Sequence, residues 1–201
     1  GVFWLISYRE TSSLVRKNTA ELYSLTAESL GQQVDNWVES NIWVLRAAAN
    51  HPNIQTMSRP LQEPLLREIH KKYPYMYLVF TVGIDGRNIA RSDDVPLKDY
   101  SDRQYYKDII QGKRISWQNL IGKTSKQPAL VIALPIENDG QLVGVMAAAM
   151  TIDDISRYVA RWQSGETGKA FLLDEKGKVV AHPSKAFVEV QKNLSDNPLI
   201  S

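Results

Sequence analysis

One strand–turn–strand unit is written twice in this chain, and that repetition limits its folds more than any other feature. Phe80-Thr81-Val82-Gly83-Ile84-Asp85-Gly86-Arg87-Asn88-Ile89-Ala90 is matched by Phe171-Leu172-Leu173-Asp174-Glu175-Lys176-Gly177-Lys178-Val179-Val180-Ala181, with Phe, Gly and Ala recurring 91 positions apart. In each copy an apolar run meets a polar turn containing glycine and then a second apolar run, the pattern of a β-hairpin. The repetition predicts two tandem modules of one design.

Around the first hairpin the chain supplies the rest of such a module. Met76 to Val82 and Arg87 to Arg91 are the hairpin strands, and Ser101 to Gln111 reads as a helix with Ser101 or Asp102 as its N-cap and Gly112 at its end. Ala129 to Ile136 and Gln141 to Thr151 are two more strands joined by Asn138-Asp139-Gly140. Asp153 to Gln163 is a connecting helix, with Ile155, Val159 and Trp162 repeating, and Gly165 and Gly168 flank a linker into the second hairpin. The few residues after Gly168 are too few to complete a second sheet, so the second module is expected to be incomplete and the chain to be part of a longer protein.

Before these modules lies a long helix. From Thr11 to Asn50 there is no proline, and Leu30, Val34, Trp37, Val38, Val44, Leu45 and Ala48 keep helical spacing, interrupted only by the polar Asn41. Such a helix would extend ~60 Å at 1.5 Å per residue, a length that suits a stalk and equally a helix packed along a globule. Leu61 to His70 reads as a shorter amphipathic helix. The opening Gly1-Val2-Phe3-Trp4-Leu5-Ile6-Ser7 is too short to cross a bilayer, which takes ~20 apolar residues, but fits the end of a transmembrane segment.

Composition removes several functions. A net charge of +2 from scattered Lys and Arg residues does not form a nucleic-acid-binding stripe, and with no cysteine there is no disulfide, thiolate metal site or thiol nucleophile. His51, His70 and His182 are far apart and match no metal-ligand spacing, and no phosphate loop, nucleophile elbow or dinucleotide fingerprint is present. No cofactor, no metal and no enzymatic chemistry are read from the chain.

Read together, Asp85-Gly86 with Ala90-Arg91-Ser92-Asp93, Tyr100-Ser101-Asp102-Arg103-Gln104-Tyr105-Tyr106, and Gly165-Glu166-Thr167-Gly168-Lys169-Ala170-Phe171 followed by Asp174 to Pro183 resemble the double Cache family of extracytoplasmic sensor domains. The resemblance implies an α+β fold, with a long N-terminal helix, a PAS-like antiparallel sheet and the start of a second PAS-like module. The divisions it implies are 1–8 as the end of a transmembrane segment, 9–50 as the stalk helix, 51–152 as a membrane-distal ligand-binding module, 153–167 as connecting helix and linker, and 168–201 as the beginning of a membrane-proximal module. It further implies an inner-membrane receptor with this region on the periplasmic side, a chemotaxis receptor or sensor kinase, homodimeric and anchored by flanking transmembrane helices. The alternative is an interaction or dimerisation module with a vestigial pocket, sensing through a partner protein.

The resemblance also implies where a ligand would sit. Tyr100, Arg103, Tyr105 and Tyr106 stand in the family's ligand-helix motif, with Arg91 at the hairpin exit. A guanidinium offers a rigid fork of donors suited to a carboxylate, and aromatic rings wall off the apolar part of a small ligand. The residues equally allow Arg103 to pair with Asp99, Asp102 or a backbone carbonyl and the tyrosines simply to pack. Amino-acid-binding members carry an acid in the last strand where this chain has Ala149, and a Tyr where it has Leu120. A buried ammonium without a counter-charge is costly, so a carboxylate or neutral polar ligand is expected in preference to an α-amino acid, with Tyr77 and Trp117 as possible cation-binding faces. Ala149 and Thr151 mark the place where pocket and connecting helix would meet.

Overall fold

The computed structural model describes residues 2–123, 125–161, 163–164 and 168–196, so Gly1, Trp162 and the Gly165-Glu166-Thr167 motif lie outside the described residues. It opens with α1 (Val2–Ala49), continued by α2 (Pro52–Gln55) and α3 (Arg59–Lys72). The chain falls into two units, residues 1–38 and residues 39–201. In the first, Leu22 and Leu25 are exposed on the helix surface. Among the described residues no helix is long and apolar enough to cross a membrane.

The second unit is built on five antiparallel strands: β1 (Leu78–Gly83), β2 (Asn88–Arg91), β3 (Ser116–Ile121), β4 (Pro128–Asn138) and β5 (Gln141–Met150), in the order β2-β1-β5-β4-β3. Successive side chains of a strand face opposite sides, and the two faces are covered differently. Leu78, Phe80 and Val82 lie on the face covered by α4 (Gln104–Ile110), clustered with Tyr100, Tyr105, Tyr106 and Ile109. Val79 and Thr81 lie on the other face, where Gln62 of α3 is fully buried, accepts from the Thr81 hydroxyl at 2.5 Å and donates to the Ile54 carbonyl at 2.6 Å. Both polar ends of that glutamine are satisfied, which lets it stand in an otherwise apolar layer. Asn41, the polar break in the spacing of the long helix, is likewise buried and accepts the Tyr75 hydroxyl at 2.9 Å.

Around the sheet, β3 and α4 differ from the sequence reading. Strand β3 was not expected, because Gln118 and Asn119 interrupt any apolar alternation; it is nonetheless paired with β4 from Ser116↔Ala133 to Ile121↔Pro128. Helix α4 starts later than its capping residues suggest, with Arg103 at the N-cap and no side-chain cap bond. Ser101 is held instead by Asp99, to which its Oγ donates at 2.5 Å, and Asp102 is held by Lys123 at 2.6 Å. Both capping candidates are thus engaged elsewhere.

After α5 (Asp153–Arg161) come short strands β6 (Gln163–Ser164), β7 (Gly168–Lys169), β8 (Leu172–Leu173) and β9 (Val179–Ala181), then α6 (Lys185–Glu189). The second hairpin reproduces the first bond for bond. Gly83 N–H donates to Arg87 O and Gly86 N–H to Gly83 O; Asp174 N–H donates to Lys178 O and Gly177 N–H to Asp174 O. Gly86 and Gly177 both have positive φ, +85° and +73°, and a Cβ on either would collide with a serine, Ser101 or Ser195. The returning strand also corresponds, since Tyr100 N–H donates to Gly86 O and Leu194 N–H to Gly177 O, each at 2.8 Å. Leu194-Ser195-Asp196 therefore occupies in the second copy the place of Tyr100-Ser101-Asp102 in the first. The two copies meet at β3, where Asn119 accepts from Gln191 Nε2 at 2.7 Å and donates to Val179 O at 3.3 Å.

Candidate functional site

Three parts of the first module enclose a cavity of about 30 Å³. The sheet face and the segment entering it give Tyr77, Leu78, Phe80, Leu120, Val131 and Ala149; the turn before α4 and its first residues give Tyr100, Arg103 and Tyr105; the β3–β4 loop gives Gly122, Lys123 and Ser125. Leu78, Ala149 and Val131 are cross-strand neighbours on β1, β5 and β4, so they form one continuous apolar wall. The small residue at Ala149 leaves the space that the cavity occupies.

Opposite that wall stand two polar groups that the protein does not satisfy. The Arg103 guanidinium makes no hydrogen bond or ion pair with a described residue, and neither does the Tyr105 hydroxyl, although Tyr105 is only 1% exposed. Burial pushes the Tyr105 phenol far above its ordinary range, so it stays protonated and able to donate. A hydroxyl that lines a cavity without a protein partner is matched at low cost by a ligand oxygen. Phe80 fixes the aromatic side of the site, its ring 6.4 Å from that of Tyr105 in an edge-to-face contact and 4.9 Å from that of Tyr100.

The remaining sequence-selected residues lie outside this lining. Arg91 is directly behind Tyr100. Its Nε and Nη2 grip both oxygens of Asp93 at 2.7 and 2.8 Å, and Nη1 donates to the Tyr100 hydroxyl at 2.9 Å and to Asn88 Oδ1 at 3.3 Å. Tyr106 is buried on α4 with its hydroxyl donating to the Ile84 carbonyl. Trp117 is 45% exposed on the opposite face of β3 from Leu120. Thr151 lines a second, larger cavity of about 420 Å³, with Asp153, Ser156, His182 and Lys185. Tyr77 and Ser125 line both cavities, and their hydroxyls, 3.3 Å apart, form the partition between them. Lys123 and Ser125 carry no local signal in the sequence; the loop alone brings them to the site. Among the described residues no cluster of His, Asp and Glu could hold a metal ion.

The geometry can be set beside known proteins. The model of the Cache domain (dCache_1) matches residues 7–199. The chain belongs to the Cache family. As a Cache domain it is an extracytoplasmic sensor region, homologous to the ligand-binding domains of chemoreceptors. It is 26% identical over 190 residues to the methyl-accepting chemotaxis protein PctB of Pseudomonas aeruginosa, covering 90% of this Cache domain and 29% of that protein. It spans less than a third of the length of the curated relatives it matches. Its fold is shared with the ligand-binding domain of the Pseudomonas fluorescens chemoreceptor CtaA in complex with L-serine, with a TM-score of 0.70 and 22% identity over 84% of this chain and 73% of that one. The sensory domain of the Campylobacter jejuni chemoreceptor Tlp3 with isoleucine bound gives 0.65 and 19% over 80% and 69%.

These complexes correct the expected ligand chemistry. The preference for a carboxylate or neutral polar ligand over an α-amino acid rested on Ala149 standing where an acid was expected, yet the similar domains are solved with serine and isoleucine bound. A missing acid at one strand position does not exclude a counter-charge supplied from elsewhere. An ammonium can also be met by a carboxylate, a backbone carbonyl and a ring face on the α4 side, and Asp102, Asp99 and Tyr100 provide all three around Lys123.

Proposed function

We propose that this chain is the periplasmic ligand-binding region of a membrane-anchored bacterial chemoreceptor or sensor kinase, homodimeric in its receptor, and that it binds an L-α-amino acid in the Arg103 cavity. The observation that carries this reading is the pair of unsatisfied groups on one side of the cavity, the Arg103 guanidinium and the Tyr105 hydroxyl, facing an apolar wall. Arg103 takes the α-carboxylate through two parallel charge-assisted bonds, Tyr105 donates to the same group, and the side chain lies against Leu78, Val131 and Ala149. No catalytic step is assigned to this region.

The cavity as it stands has about the volume of one water molecule, ~30 Å³. Binding therefore requires the β3–β4 loop to move away from α4, and the ligand acts by favouring that second arrangement. The same small volume favours a second reading, a vestigial pocket in a module that senses through a partner protein.

Isothermal titration of the purified domain with the L-amino acids, repeated with Arg103→Ala and Tyr105→Phe, separates the two. Saturable binding by the parent that weakens at least thirtyfold in Arg103→Ala, about the worth of a charge-assisted bond, supports direct sensing. Silence across the whole set in the parent refutes it and supports the vestigial pocket.

A further inference from the structure

One ammonium is already bound at the mouth of the cavity, and it belongs to the protein. Lys123, on the β3–β4 loop, extends to the turn before α4, where its Nζ donates to the Asp99 carbonyl at 2.8 Å and to Asp102 Oδ1 at 2.6 Å. The same nitrogen lies 5.4 Å from the centre of the Tyr100 ring. A carbonyl, a carboxylate and an aromatic face are the three kinds of partner that a primary ammonium takes, and here they converge on one nitrogen. The hydrogen bond from Lys123 is the largest influence on the Asp102 carboxyl and holds it below the usual carboxylate range, with the Arg103 charge adding to the effect.

We infer that Asp99 O, the Asp102 carboxylate and the Tyr100 ring form the ammonium subsite of the cavity, occupied by Lys123 until the α-ammonium of an amino acid displaces it. The inference rests on the amino-acid reading above and supplies the counter-charge that Ala149 does not. Its geometry follows the ligand's own. An α-amino acid carries its two charges on one carbon, and the unpaired Arg103 and the acid that pairs Lys123 are consecutive residues on the turn entering α4.

Displacement also accounts for access. Lys123 and Ser125 tie the same loop down at two points, to Asp102 and to Tyr77. An incoming ammonium that takes the place of Lys123 releases the first tie, and the loop can lift from a cavity too small for any amino acid. The resident lysine is thus a competitor built into the site, and its removal strengthens ligand binding.

The test is calorimetric titration of the parent, Lys123→Met and Asp102→Asn with the L-amino acids and with the matching carboxylic acids lacking the amine. Lys123→Met keeps most of the apolar stem and removes the charge. The amino acid is expected to bind about tenfold more tightly to it than to the parent, the combined worth of a partly exposed ion pair and a cation–π contact, while the deamino acid changes little. Asp102→Asn is expected to weaken the amino acid and spare the deamino acid. If the parent binds an amino acid and Lys123→Met binds it equally or less well, the surrogate role is overturned and the amino-acid reading stands. If Lys123→Met binds an amino acid that the parent does not, the ammonium subsite is supported and direct sensing by the parent is overturned. If neither binds any amino acid, both are overturned.

Discussion

Arg91 gives the sharpest test of how the site is held. Replacement by Met keeps much of the side-chain volume and removes a cation that is 99% buried, leaving Asp93, the Tyr100 hydroxyl and Asn88 without their shared donor. Breaking a buried ion pair from one side costs roughly 3–5 kcal/mol, because the surviving charge stays desolvated. Asp93 is 30% exposed and partly regains water, so the lower end applies, ~3 kcal/mol. At ~2–4 °C per kcal/mol for a domain of this size, the Tm falls by roughly 6–12 °C in thermal unfolding followed by circular dichroism. Arg91→Lys recovers less than half of the loss, since one ammonium cannot hold both Asp93 oxygens and still reach Tyr100. Amino-acid affinity falls less than in Arg103→Ala, because Arg91 acts on the cavity only by orienting Tyr100. A Tm within ~2 °C of the parent would refute the structural assignment, as would an affinity loss matching Arg103→Ala at unchanged Tm.

Asp108 links stability to pH. Burial raises its pKa, but hydrogen bonds from Gln104, Ser116 and Lys113 outweigh burial and leave the folded-state value depressed. Its contribution is therefore full above the unfolded carboxylate pKa of ~4 and is lost as the pH falls through the folded value, so Asp108→Asn should flatten the acid limb of the Tm–pH curve; an unchanged limb counts against this. Gly86→Ala combines a positive φ with a Cβ only 2.5 Å from that of Ser101 and should cost ~2 kcal/mol or more, whereas Gly112→Ala, equally left-handed but in open space, should cost ~1; equal Tm losses would contradict the clash. Gln62→Leu strands the Thr81 hydroxyl and removes one of the donors to the Ile54 carbonyl, which keeps the Met57 N–H, and should lower stability by ~1–2 kcal/mol in urea unfolding at unchanged m-value, a neutral result refuting the buried tie.

The doubled hairpin was legible because its turn residues are fixed by local backbone geometry, Gly86 and Gly177 having the φ that glycine adopts freely. Strand β3 was not, because Gln118 and Asn119 break its alternation and the partners of Asn119 lie far along the chain; Asn119 meets Gln191 and Val179 of the second copy, and no local pattern records that. The ligand helix could be picked out from Arg103 and the tyrosines after it. What separates Arg103, left unpaired, from Arg91, fully engaged, is the placement of Asp93 and Tyr100, set by the fold. Lys123 was the least legible, since a lysine in a Gly-Lys-Thr-Ser-Lys-Gln loop reads as solvated surface until the loop is seen to reach α4.

The two copies also show which parts of a binding module are transferable. The glycine turn, the serine packed on it and the aspartate after it recur as Gly86, Ser101 and Asp102 and as Gly177, Ser195 and Asp196, but Tyr100 becomes Leu194. Frame and chemistry come apart in this chain: the second copy keeps the turn, the serine and the aspartate and lacks the ring, so grafting one aromatic side chain at position 194 asks whether a recognition surface can be moved without rebuilding the frame.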